Sequence, residues 1–142
     1  MRVKSLMLAC AMLSGAAALA PQASAASDPA AGPSWAGVWA NGNNRMHVRA
    51  ARCGEAMCGT VVWADDKMKQ EVAARGRSLV GAQVFRDFRQ IGPNQWKGLV
   101  YIPAIDKTVS GKIELNDSES ITASACMFGP VGCQTRHYKR IR

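Results

Sequence analysis

From residue 35 to residue 141 the chain alternates short apolar runs with clusters of turn-forming residues, spaced about eight to twelve positions apart. The clearest run is residues 108–115. There Val109, Gly111, Ile113 and Leu115 alternate with Thr108, Ser110, Lys112 and Glu114, so a strand would carry one core face and one solvent face. The same period marks residues 45–50, with Met46 and Val48 against His47 and Arg49, and residues 59–64, with Val61 and Trp63 sharing a face. Residues 35–40, 82–88, 121–126 and 134–141 are further extended segments. Residues 95–102 end in Leu99, Val100, Tyr101 and Ile102, apolar on both faces, which predicts a central, well-buried strand. Between the segments stand Asn41-Gly42-Asn43-Asn44, Gly92-Pro93-Asn94, residues 103–107 and Asn116-Asp117-Ser118, all turn signals.

One segment has a different period. Residues 65–76 place Met68 and Val72 four apart, on one helical face, with Asp65 or Asp66 to cap the start and Gly76 to end it. Such a helix either covers a barrel mouth or packs outside as a plain connection. No repeat and no βαβ rhythm accompanies it. The prediction is an all-β fold: a small antiparallel up-and-down β-barrel of about eight strands with one short helix or loop insertion. Closure would remove exposed sheet edges.

The N-terminus follows another rule. Arg2 and Lys4 form a positive start, residues 6–19 are apolar with small residues interspersed, and Ala23-Ser24-Ala25 precedes a cleavage point. This is the pattern of a secretory signal peptide, and its apolar stretch is short for a bilayer span. Too little apolar chain precedes Cys10 for a lipoprotein cleavage point. Cleavage after Ala25 removes 25 of the 142 residues and leaves 117, enough for one domain. The expected organisation is residues 1–25 as signal peptide, 26–34 as a flexible lead-in rich in Ala and Pro, and 35–142 as the barrel. Periplasmic location follows. The formal charge of +8, less the two charges of Arg2 and Lys4, leaves +6 on the mature chain. These charges are spread along the chain, which reads as a solvated basic surface able to attract anionic partners. Export disfavours nucleic acid.

With Cys10 in the signal, four cysteines remain: Cys53, Cys58, Cys126 and Cys133. An even count in an exported chain reads as disulfides, with three possible connectivities. Cys53–Cys58 and Cys126–Cys133 are favoured, because Gly54 lies within the first pair and Gly129 and Gly132 within the second. Each would contribute about 2 kcal/mol in the chain-entropy model. A four-cysteine zinc site has the wrong spacing, and only His47 and His137 remain as imidazole ligands. No metal and no cofactor is expected.

The run Cys53-Gly54-Glu55-Ala56-Met57-Cys58-Gly59-Thr60-Val61-Val62-Trp63 resembles a segment of the bacterial proteins grouped as domain of unknown function family 2147. So do Arg77-Ser78-Leu79-Val80-Gly81, Trp96-Lys97-Gly98-Leu99-Val100-Tyr101, Lys107-Thr108-Val109-Ser110-Gly111-Lys112-Ile113 and Gly129-Pro130-Val131-Gly132-Cys133-Gln134-Thr135, in order. Three positions depart from the family pattern: Ile102-Pro103 stands for its Asp-Pro, its Asp-x-x-Asn-Pro is missing from residues 65–75, and Tyr138 replaces a final Trp. The family is similar to the lipocalin-like, or calycin, barrels. That resemblance implies a closure pair, Trp39 of Gly37-Val38-Trp39 against Arg140, with the guanidinium over the indole face worth roughly 0.5–2 kcal/mol.

Small barrels of this kind hold one small ligand or are filled by side chains. If Arg140 faces inward, Arg136 and Tyr138 share its face by the two-residue period. Polar groups inside a barrel need partners, so an anionic or hydroxylated ligand suits them. The resemblance adds Arg77 and Tyr101 as ligand-binding candidates. A second reading is an interaction module for another envelope protein or an anionic surface. Catalysis is not expected: Ser78, Ser110 and Ser124 lie in no nucleophile-elbow context, Asp65 and Asp66 are adjacent, and His47 reads as a half-exposed strand residue.

Overall fold

A computed structural model describes residues 33–142. The expected signal peptide, its cleavage point and most of the lead-in lie outside the described residues. Within them, antiparallel strands close a barrel in chain order. The strands are β1 (Gly37–Asn41), β2 (Met46–Cys53), β3 (Ala56–Ala64), β4 (Gln83–Gly92), β5 (Gln95–Ile102), β6 (Lys107–Leu115), β7 (Ser120–Phe128) and β8 (Val131–Arg140). One helix, α1 (Asp66–Ala73), joins β3 to β4. The all-β up-and-down barrel with a single short helix is the fold that the alternation implied.

Several strands run longer than their alternation suggested. β2 and β3 continue through the cysteine segment to a two-residue turn at Gly54 and Glu55, and β7 and β8 continue to a turn at Gly129 and Pro130. The disulfides Cys53–Cys58 and Cys126–Cys133 therefore staple paired strands rather than loops, with Cys126 directly opposite Cys133.

Two expectations about side-chain facing need correction. Val61 and Trp63 do not share a face. The β2–β3 pairing steps from His47–Trp63 to Val48–Val61, so Val62 is an extra residue that reverses the alternation. Val61 is 1% exposed and Trp63 43% exposed, stacked outside the barrel on His47 with ring centroids 4.5 Å apart. Nor is the end of β5 well buried: Leu99 is exposed and Val100, Tyr101 and Ile102 are half-buried. Leu99 points outward, and the last residues of the strand reach the barrel's open end, where a cavity replaces packed core.

β6 alternates as its sequence dictates, with Gly111, Ile113 and Leu115 buried and Thr108, Ser110 and Glu114 exposed. Exposed positions of β2, β4 and β5 carry Arg49, Arg89 and Lys97. No helix among the described residues is long and apolar enough to cross a membrane.

The core sits toward the end that holds the start of β1 and the end of β8. Trp39, Phe88, Val48 and Val61 are its most deeply buried side chains. Phe88 reaches that depth because Gly98 lies beneath it. A Cβ at Gly98 would stand 2.8 Å from the Arg86 carbonyl and 2.8 Å from Phe88 Cα. Gly98 pairs directly with Gly111, so two strands approach the ring without side chains between.

Candidate ligand-binding cavity

The two ends of the barrel differ in construction. The end holding the first residues of β1 and the last of β8 is closed. Trp39 is 1% exposed, and its indole Nε1 donates to the Trp35 carbonyl at 3.0 Å. The Arg140 guanidinium lies over the Trp39 ring, 4.2 Å from its centroid. Its donors reach three carbonyls, Ala36 and Ser118 at 2.6 Å each and Ser34 as well. Gly37, with φ of +141°, permits this: any Cβ there would collide with Arg140 and the Arg142 carbonyl. Trp39 and Arg140 thus meet in the geometry the resemblance implied. Only about 10 Å³ of void remains among the core rings above them.

The opposite end is open. A cavity of about 460 Å³ lies under α1 and inside the upper halves of β4, β5, β7 and β8. Met68 and Val72 of α1 face into it together with Leu79, so the helix covers the mouth. Asp65 fixes the helix start. Its carboxylate accepts from the Met68 backbone N–H at 2.8 Å and from Arg45 Nε at 2.5 Å, while its own N–H donates to the Arg45 carbonyl. The Arg45 guanidinium, then the Met68 N–H, hold the Asp65 carboxyl below its ordinary value. The other walls are mostly apolar: Met46, Val84, Phe85, Val100, Ile105 and Met127.

Polar groups collect on the β7–β8 wall. Pairs Ile121–Tyr138, Ala123–Arg136 and Ala125–Gln134 stack along one face of these strands. Tyr138 lies deepest, 6% exposed, and burial pushes its phenol up to about 12, opposed by the nearby Arg136 charge. Its hydroxyl has no hydrogen bond among the described residues yet is not sealed from solvent-sized probes, so it ends on the cavity surface. Arg136 lines the cavity above it, exposed, with its guanidinium on Gln134 Oε1 at 2.9 Å. The small Ala123 and Ala125 opposite leave space in front of these groups. β1 pairs with β8 only from Tyr138 to Arg140, so the upper part of β8 has β7 alone as strand partner beside the mouth.

Of the residues expected to bind ligand, Tyr101, Arg136 and Tyr138 line the cavity and Arg77 does not. The Arg77 guanidinium is engaged by Asp106 at 2.7 Å, and the same carboxylate accepts from the Tyr101 hydroxyl at 3.1 Å. Arg86 covers the Tyr101 ring at 4.4 Å. This network ties the segment after α1 to the β5–β6 turn. Sequence reading missed Asp106, Gln134, and the apolar bed of Leu79, Val84, Phe85 and Met127. Only the Met68–Val72 pair signalled that bed. The departures Ile102 and Pro103 both lie on the rim. Among the described residues no group of three His, Cys, Asp or Glu side chains is placed to hold a metal.

The family described as an uncharacterized protein conserved in bacteria (DUF2147) matches residues 37–140, the span from β1 to β8. Protein HP1028 from the human pathogen Helicobacter pylori, described as belonging to the lipocalin family, has a similar fold. Its TM-score is 0.60 at 16% identity, over 75% of this chain and 82% of that one. At that identity the likeness is one of fold. No curated protein matches the chain.

Proposed function

Because this chain belongs to the DUF2147 family of bacterial proteins and folds as a lipocalin-like barrel, we propose that it is a non-enzymatic binding protein that holds one small, largely apolar ligand beneath α1. The carrying observation is the cavity of about 460 Å³, closed below by packed rings and lined above by flexible apolar side chains. Its size falls within the range of about 300–1,000 Å³ typical of small-molecule sites. Methionines at positions 46, 68 and 127 suit an adaptable apolar bed. A periplasmic location fits the two disulfides, which persist in oxidising compartments. The absence of catalysis is part of the proposal. His47 is committed to Asn44 and Trp63 on the outer surface, and the Ser78 hydroxyl donates to the Val80 carbonyl.

The test is titration with a neutral fluorescent apolar probe, N-phenyl-1-naphthylamine. The native barrel should bind it at one site, and Ala125→Trp, which fills the cavity from β7, should abolish binding with the fold intact by circular dichroism. Equal probe binding by both proteins, or none by the native one, would remove this reading. A second reading, an interaction module, draws on one observation. Phe128 and Val131, directly opposed at the β7–β8 tip, are 68% and 65% exposed.

A further inference from the structure

The cavity's charge pattern narrows the class of ligand, an inference that rests on the binding reading above. Arg136 is the one charged residue in the lining, and no carboxylate joins it there. The cation nearest by sequence resemblance, Arg77, is neutralised by Asp106 outside the cavity, and Arg45 by Asp65. Arg136 has no ion-pair partner among the described residues. It holds only Gln134 and the Thr135 carbonyl, which leaves its positive charge uncompensated beside an apolar void. Two residues deeper, Tyr138 presents a hydroxyl to the cavity surface with no hydrogen-bond partner among the described residues. A cation and a phenolic donor thus share one face of β8. Phe85 of β4, four strands away in the sheet, reaches across to pack edge-on against the Tyr138 ring with centroids 5.9 Å apart, so the apolar wall of Val84 and Phe85 begins beside the polar groups, and Met68 and Val72 cover the mouth.

We propose that the cavity takes a single-chain amphiphile with one anionic head. The head accepts hydrogen bonds from Arg136 and the Tyr138 hydroxyl, and the apolar chain lies against Met68, Val72, Val84 and Phe85. Each part answers an unmet requirement. An unpaired guanidinium beside an apolar void gains from an anionic acceptor, where the hydrogen bonds are charge-assisted. The Tyr138 hydroxyl at the cavity surface, unpartnered by the protein's described residues, gains an acceptor. Ala123 and Ala125 provide the space that a head group needs above Tyr138. A neutral apolar ligand would leave both polar groups unpaired, and a cationic one would meet Arg136 directly.

Isothermal titration of the mature protein with dodecanoate, dodecanol and dodecyltrimethylammonium, each below its micelle concentration, tests this. Dodecanoate should bind at least tenfold tighter than dodecanol, and the cation weakest. Shortening the acid from twelve to eight carbons should weaken binding by about threefold to fourfold per methylene. Arg136→Gln should lower dodecanoate affinity about tenfold, to the level of the alcohol, and leave dodecanol unchanged; Arg136→Lys should recover part of the loss. Tyr138→Phe should weaken the acid severalfold. Arg136 is exposed, so its variants should keep the native melting temperature and report on binding alone. Equal binding of acid and alcohol, or an acid affinity indifferent to Arg136→Gln, would overturn the ligand class while the neutral probe still binds. Failure of the neutral probe as well would overturn the cavity reading itself.

Discussion

Removing the Arg140 side chain should cost this small barrel a large part of its stability. In Arg140→Ala three carbonyls, those of Ser34, Ala36 and Ser118, lose a charged donor, and the Trp39 ring loses the guanidinium 4.2 Å above it. A hydrogen bond to a charged group is worth about 1.5–3 kcal/mol when sequestered, and the stacking roughly 0.5–2 kcal/mol. The three bonds are not additive here. Arg140 is half-buried, and water can reach the freed Ser34 and Ser118 carbonyls. A net loss of about 2–4 kcal/mol follows, against about 5–15 kcal/mol for a typical domain. At about 4–8 °C per kcal/mol for a small domain, the melting temperature should fall by roughly 8–32 °C. Differential scanning calorimetry on the oxidised mature protein reads this directly. Arg140→Lys should recover less than half, because an ammonium cannot fork to three carbonyls while lying over a ring. A cycle with Trp39→Leu should give a coupling near the stacking value. If Arg140→Ala lowers the melting temperature by less than about 2 °C, the closed end is ornament and not a source of stability.

Four further outcomes follow from other parts of the barrel. Replacing Cys126 and Cys133 with Ser should lower stability by about 2 kcal/mol, measured by urea unfolding, and leave the β7–β8 pairing in place. Gly98→Ala should cost about 1–3 kcal/mol or more, since the new Cβ meets the Phe88 ring and also backbone at Arg86 and Phe88, which cannot yield as a flexible side-chain tip could. Asp65 titrates below its ordinary 3.8 in the folded state, so the stability it adds is present above that value and lost as pH falls through the lowered one; Asp65→Asn should flatten the acid limb of a pH–stability curve. Tyr138 is pushed up to about 12, so its stabilising contribution should hold below pH 10 and decline between 10 and 12, with its absorbance change at alkaline pH delayed to that range.

How much of this was legible in the sequence depended on whether the signal was local. The alternation in residues 107–115 is enforced by one strand's own pleat, so Ile113 and Leu115 read correctly as core. Asp65 as helix cap and the two disulfides also rest on neighbours a few positions apart. Trp63 failed because the bulge at Val62 depends on pairing with β2, which no local period records. The end of β5 failed for a related reason. Its apolar residues were read as buried by packing, whereas Val100 and Ile102 border a cavity whose size depends on α1, β7 and β8 together. Arg136 and Tyr138 were reachable through the two-residue period of β8. Arg77 was misplaced because Asp106, 29 residues away, claims its guanidinium.

The division between the two ends has a physical logic that bears on function. A barrel with a void in its upper half must find its stability elsewhere, since side chains around the void lack packing partners on one side. Here the lower half supplies it: Trp39, Val48 and Phe88, among the deepest side chains, lie there, and Arg140 ties Ala36 and Ser118 to it. Beside its strand ladders, the upper half carries links that leave its centre empty, namely Arg45 to Asp65, Arg77 to Asp106 and Cys126 to Cys133. Each of these runs around the rim and not across the cavity. Substitutions among the lower rings should therefore act on melting temperature, and those at Met68, Ala125 or Arg136 on ligand affinity. This separation lets the lining vary to suit a ligand without unfolding the barrel that presents it.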